Sequence, residues 1–367
     1  MDKLIQTKHG KVKKYLKANG LEGIVLASRV NFSWFTCGAM NYVNAASDLG
    51  EACLFITEDD CVCVSNNIDG GRIYDEELKG RGLEVLQPKW FDAQEKSKLW
   101  EDLAGGRKIA ADIDVTGLNA ASLNGDFTTL RYGLLDEEIQ RYKQLGDSAS
   151  KALESCGKTI QKAMSEFEIA ALINKSLFDR DIRPWVTLVA VDDRIVKYRH
   201  PIPTTAKVNK TAQMVICAER HGLVCSATRI VSFGQTDDDL KKRHQAVVNV
   251  DAAFNLATKP GMKLSEIFEI GTKAYADNGY ADDWQLHHQG GPAGYGPRDA
   301  IANFQADSVV VANQSFAWNP SITGTKSEDT MVATDSGPLF VSHAIDWPQI
   351  EAEYNGQKLN RPDILIR

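Results

Sequence analysis

Apolar positions fall in two different arrangements along the chain, and the change comes near Leu135. Ahead of it, residues 9–19 space their apolar side chains three and four apart, as a helix buried on one side requires. Residues 23–27, the pair 52–57 and 61–65, and residues 108–111 are short apolar runs bounded by polar or glycine-containing segments, which predict strands covered by helices. This alternation reads as a small α/β domain. From Leu135 the run LDEEIQRYKQLGDSASKALESCGKTIQKAM places acids first and basic residues later, in the sense of the helix dipole, with apolar positions at helical spacing. It opens a second domain, so the expected division is 1–132 and 133–367. Further helices over 166–179 and 237–257 flank a strand-rich centre at 185–233. From Ser308 onward the pattern is strands broken by turns such as Asn319-Pro320 and Ser336-Gly337-Pro338. No segment repeats at a period of 20 to 50 residues.

Composition narrows the class. At 367 residues the chain is long enough for two cores, and 43% hydrophobic with 25% charged residues is a globular balance that excludes a disordered or low-complexity assembly. The 42 Lys and Arg against 49 Asp and Glu give a net charge of −7, with no basic surplus to neutralise phosphates, so nucleic acid is not an expected partner. Seven cysteines lie scattered through apolar stretches without CxxC pairs, which fits a reducing cytoplasm. The basic start lacks an apolar core region and no run of about 18 apolar residues occurs, so neither export nor membrane insertion is expected.

Reactive side chains concentrate in four segments of the second half. Lys197-Tyr198-Arg199-His200-Pro201-Ile202-Pro203-Thr204 sets a histidine where prolines forbid a helix interior. The segment from Val215 to Arg229 reads as two strands joined by a turn at Arg220-His221-Gly222, which by itself is core structure. Leu286-His287-His288-Gln289-Gly290-Gly291-Pro292-Ala293-Gly294-Tyr295-Gly296-Pro297-Arg298 is too rich in glycine for a regular element, and glycine lets backbone pass close to a ligand. Asn319-Pro320 through Lys326-Ser327-Glu328-Asp329 is a strand, a turn and a second strand opening on a carboxylate pair; a solvated hairpin would look the same.

In this order and at these distances the four segments resemble the creatinase/aminopeptidase P/methionine aminopeptidase family, M24, whose catalytic domain has the pita-bread fold. The fold class implied is an α/β N-terminal domain followed by an α+β pita-bread domain, as in the creatinase, prolidase and aminopeptidase P branch. Metallopeptidases of that family hold two divalent ions with two Asp, one His and two Glu. Anchored on Thr228-Arg229, the first two of those positions fall on Val215 and Ser226; the histidine falls on His288, the first Glu on Asn319 and the last on Glu328. Three of the five positions therefore carry no carboxylate, and hard divalent ions need several anionic oxygens. The expectation is a member without the metal pair and without any cofactor.

The resemblance to creatinase and ectoine hydrolase implies metal-independent hydrolysis of a C–N bond in a small polar amidine, guanidino or amide substrate. His200 matches the acid/base of the creatinase pattern, and Glu328 the residue that polarises a cationic group, although the Glu before the family's Arg is Thr228 here. His288, Tyr295 and Asn319 are candidate donors, Arg298 and Lys326 candidate anchors for a substrate carboxylate, and Ser226 a further contact. The alternatives are a non-catalytic binding protein, a C–S or C–N lyase, and an Xaa-Pro metallopeptidase. The family's two-domain branch also implies a homodimer in which Arg29, Phe32 or Trp34 reaches the neighbour's site; from residues alone that segment could equally be a buried strand and turn.

Overall fold

In the computed structural model, which describes residues 1–367, the first helix is Lys3–Asn19. The Asp2 carboxylate accepts the Leu4 N–H at its start, and Gly20 closes it in the left-handed conformation (φ 60°). Chain contacts divide the molecule into two units, Met1–Arg131 and Tyr132–Arg367. The first holds a mixed six-stranded sheet in the order Glu84–Leu86, Cys61–Ser65, Leu49–Thr57, Gly23–Ser28, Ile109–Ala111, Ala121–Ser122. Val25, Phe55, Trp100 and Ile109 pack in one of its cores.

The strand-and-turn reading of the segment after Ser28 is corrected here. Residues Arg29–Phe35 form a helix, capped by the Ser28 hydroxyl, which accepts the Asn31 N–H. Phe32 and Trp34 are buried in the core of their own unit, where Trp34 packs edge-on against Phe127. Arg29 is buried too, stacked 3.7 Å over Tyr42 and donating to Ala45 O at 2.6 Å. All three side chains are engaged in packing within their own unit.

The second unit opens with helices Asp136–Thr159 and Glu166–Phe178 and continues into a four-stranded sheet ordered Leu365–Ile366, Leu223–Ser232, Thr211–Arg220, Arg183–Val191. Helices Asp238–Ala257 and Leu264–Asp277 follow. A second four-stranded sheet is ordered Gly290–Ala293, Gln314–Trp318, Asp329–Thr334, Gly337–Phe340. The helix Leu264–Asp277 was not among the expected elements, although Leu264, Ile267, Phe268, Gly271 and Tyr275 carry its period. Its glycine is the reason for both the weak signal and the packing: a Cβ on Gly271 would stand 1.9 Å from the Phe254 ring, so the two helices meet through it. None of the helices is long and apolar enough to cross a membrane.

Strands Thr211–Arg220 and Leu223–Ser232 form the hairpin that the sequence implies, closed by His221 (φ 50°) and Gly222 (φ 76°), the two positive dihedrals of a tight hairpin turn. Its register pairs Val215 with Thr228 and Cys217 with Ser226. Side chains alternate along a strand, so these four share one face, and Arg229 turns to the other.

Candidate active site

The loop bearing His200 is fixed from beneath by one buried carboxylate. Glu166 accepts the Val191 N–H at 3.0 Å, the Thr204 N–H at 2.8 Å and the Thr204 hydroxyl at 2.7 Å, and it pairs with Arg194, which also donates to Ile202 O. Arg199 ties the loop sideways to the Thr323 hydroxyl at 2.8 Å. Thr323 in turn donates to Asp283, at the start of the 3-10 turn Asp283–Leu286. His287 and His288 follow that turn directly. Their segment is held by the buried Gln289, whose amide donates to Trp284 O and His287 O and accepts from the Tyr275 hydroxyl at 2.7 Å.

Three imidazoles thereby converge. His287 Nε2 lies 3.1 Å from His200 Nε2, a hydrogen bond in which one ring donates and the other accepts. The His288 ring centroid is 4.6 Å from that of His287 and 5.6 Å from that of His200. His288 Nδ1 accepts the Gly290 N–H at 3.3 Å, so the neutral ring carries its proton on Nε2 and presents a donor there. One ring nitrogen from each histidine lies within 4.8 Å of the others, close enough for the trio to hold a single ion.

Beside them stands Glu328, 3% exposed and fully engaged: Lys326 Nζ lies at 2.7 Å, the Thr228 hydroxyl donates at 2.7 Å, and Arg298 Nη2 lies at 3.2 Å. Arg298 also reaches the Ser226 hydroxyl at 3.4 Å, and that hydroxyl donates to Cys217 Sγ at 3.3 Å. The hairpin face presented to this cluster is therefore Val215, Cys217, Ser226 and Thr228. Asn319 is buried with its Oδ1 unpartnered, and a Cβ on Gly290 would approach that oxygen to 3.1 Å and Ala317 O to 2.1 Å, so only glycine fits at 290. His287 Nδ1, Arg298 Nε and Ser321 Oγ are likewise buried without partners.

Burial pushes the Glu328 carboxyl up, but Lys326 and Arg298 outweigh it and hold the group below the ordinary carboxylate range. Burial and then Lys326 lower His287 to about 2; burial and then Arg298 lower His288 to about 4; burial and then Lys326 lower His200. All three rings are neutral near pH 7. An unfolded chain titrates its histidines near 6.5, so as the pH falls below that value the unfolded state takes up protons that the folded state refuses. Stability is full above about pH 6.5 and should decline steadily toward pH 4, where His288 begins to protonate in the fold. Melting temperature read from pH 8 to pH 5 checks this: a flat profile would contradict it, and His288→Gln should reduce the slope.

Of the residues singled out from sequence, the structure gathers His200, His288, Glu328, Lys326, Arg298 and Ser226, with Asn319 beside Gly290. Tyr295 is a correction. Its hydroxyl donates to Glu138 on the helix Asp136–Thr159, in the interior, which gives it a packing role rather than a substrate contact. His287 was missed, because only the fold brings it across 87 positions to His200.

Comparisons with known proteins give a family and a fold. The sequence model of metallopeptidase family M24 matches residues 140–335. An uncharacterised peptidase of Staphylococcus aureus (strain MW2) is 20% identical over 240 residues, which is 62% of this chain and 68% of that protein. Among solved structures, an X-Pro aminopeptidase from Thermotoga maritima MSB8 superposes with a TM-score of 0.77 at 15% identity, covering 98% of this chain and 99% of the other. A prolidase from Pyrococcus horikoshii OT3 gives 0.78 at 17% identity, covering 92% of this chain and 99% of the other. The fold is thus the two-domain arrangement of those proteins, with an N-terminal α/β domain and a C-terminal pita-bread domain.

Proposed function

The chain belongs to metallopeptidase family M24, and from that premise we propose that it hydrolyses a C–N bond of a small polar amide without the family's metal pair. The observation that carries the reading is the state of Glu328, already neutralised by Lys326 and Arg298. The donor set does not suit two hard divalent ions: Val215 offers no ligating atom, Ser226 and Asn319 offer neutral oxygens, and two cations flank the one carboxylate. An engaged Glu328 also favours an amide over an amidine or guanidino substrate, since it has no spare charge for a cationic group. Relatives named as X-Pro aminopeptidase and prolidase support C–N hydrolysis as the reaction class.

In this reading neutral His200 takes a proton from water as the oxygen attacks the amide carbon, and returns it to the departing nitrogen, so that amide and water become acid and amine. His287 shares the proton through the ring-to-ring hydrogen bond. The Nε2–H of His288 supplies a neutral donor for the oxyanion that forms. Four buried polar atoms left without protein partners along these segments suit a small polar ligand better than a sealed scaffold.

A second reading rests on the imidazole trio: a single ion held by His200, His287 and His288, in a peptidase like the named relatives. Lys326, Arg298 and Arg199 weigh against it, because the positive field that adds to burial in lowering the ring pKa values also opposes a cation. Metal content and turnover separate the two. After exhaustive chelation, the protein should still release amine from some member of a panel of small amides, amidines, guanidino acids and Xaa-Pro dipeptides. Turnover that appears only with added Mn²⁺, Co²⁺ or Zn²⁺ would sink the metal-free reading, and one bound equivalent lost in His287→Asn would establish the single-ion one.

A further inference from the structure

We infer that Lys326 and Arg298 form a subsite for the carboxylate of the substrate, which makes the substrate an amido acid; the inference rests on the hydrolase reading above. The charge count is the first reason. Two cations and one anion are enclosed together, with side chains 5% (Lys326), 15% (Arg298) and 2% (Glu328) exposed, against a hairpin face of Val215, Cys217, Ser226 and Thr228 that carries no formal charge. Glu328 is a single carboxylate shared by two cations, and an enclosed charge with only a shared partner is costly.

The donor count is the second. Lys326 Nζ has three protons and one acceptor, Glu328. Arg298 gives Nη1 to Pro297 O and Ser226, and Nη2 to Glu328, while its buried Nε has no acceptor. Donors left over on two cations call for a group that only accepts, which a carboxylate does. Glu328 shows the geometry on the protein's own side: its oxygens already lie between the two cations, with the Thr228 hydroxyl as a third donor. It holds both side chains in place, so a second carboxylate meets cations that are already ordered. His200 and His288 feel the charges of Lys326, Arg298 and Glu328, which puts the acid/base and the anchoring cations in one site.

The test compares N-acetylglycine with N-acetylglycine methylamide, which differ in the carboxylate alone, by thermal shift and calorimetry at low salt. Both are measured on the full chain and on His200→Ala, so that binding is read apart from turnover. The acid should raise the melting temperature and the methylamide should not. Lys326→Met and Arg298→Met should each weaken binding of the acid by at least about tenfold, the loss expected for a charge-assisted hydrogen bond, and Lys326→Arg should retain it. Equal binding of acid and methylamide would overturn the inference, as would stabilisation by benzamidine in place of the acid. Inorganic phosphate binding as well as N-acetylglycine would overturn the assignment to a carboxylate. The comparison of the two ligands on the unmodified protein decides the matter even if a variant fails to fold. Binding of the acid with no turnover of any amide would leave the subsite standing and remove the hydrolase reading; turnover of neutral amides alone would do the reverse.

Discussion

The His200→Ala variant is expected to lose roughly 10²–10⁴-fold in kcat, the usual contribution of a positioned acid/base, with little change in KM or melting temperature. The separation follows from how the loop is built. The loop's anchors are the Glu166 contacts to Val191 and Thr204 and the Arg194 contact to Ile202, none of which involves the His200 imidazole. His287→Asn should cost less, because His287 acts through His200 at 3.1 Å rather than on the substrate. The His200→Ala/His287→Asn pair should be little worse than His200→Ala, since two residues that act as a unit are not additive. A His200→Ala enzyme that keeps more than about a tenth of its turnover would remove the acid/base assignment. A fully additive double variant would give His287 a role of its own.

Sequence periodicity carried the framework and only part of the site. The hairpin was legible because apolar runs met at Arg220-His221-Gly222, and its register then places Val215, Cys217, Ser226 and Thr228 on one face. The helix Arg29–Phe35 was not, because its polar residues Arg29, Asn31 and Ser33 fall at every second position, the alternation of a strand, and are buried with their apolar neighbours. His200, His288 and Glu328 stood out through their surroundings in the chain. What the chain could not display is charge in space. Lys326 lies two positions from Glu328 and Arg298 thirty positions away, yet both bind the same carboxylate. That pairing turns a residue expected to receive a cationic substrate into the counter-ion of two resident cations. Tyr295 failed for the same reason in reverse, since its partner Glu138 comes from a helix 157 positions earlier.

The largest effect on stability should come from Arg361→Met, a loss of about 3–5 kcal/mol, as expected when one partner leaves a buried ionic network. Behind the site, Arg361 pairs with Asp251 at 2.5 Å and with Asp329 at 3.2 Å. Arg229 takes the other oxygen of Asp329 at 3.2 Å and lies 3.5 Å from Glu154. The arginines and aspartates are at most 1% exposed at the side chain and Glu154 is 3%, so water cannot replace a missing partner. Along 326–329 the directions alternate: Lys326 and Glu328 meet at the site, while Ser327 donates to Asp251 at 2.7 Å and Asp329 joins the two arginines. The network therefore grips the backward-facing residues of the segment whose forward-facing residues form the site. Burial already pushes the Asp251 carboxyl up, with Arg361 opposing it, so without Arg361 this charge has only the Ser327 hydroxyl and the Asn255 amide as side-chain donors. Adding Asp251→Asn to Arg361→Met should then recover part of the loss, because it removes the stranded charge rather than a contact. Denaturant unfolding of the two single variants and the double variant measures this. A single-variant loss under about 1 kcal/mol, or a double variant no more stable than Arg361→Met, would mean that the aspartate is satisfied without its arginine.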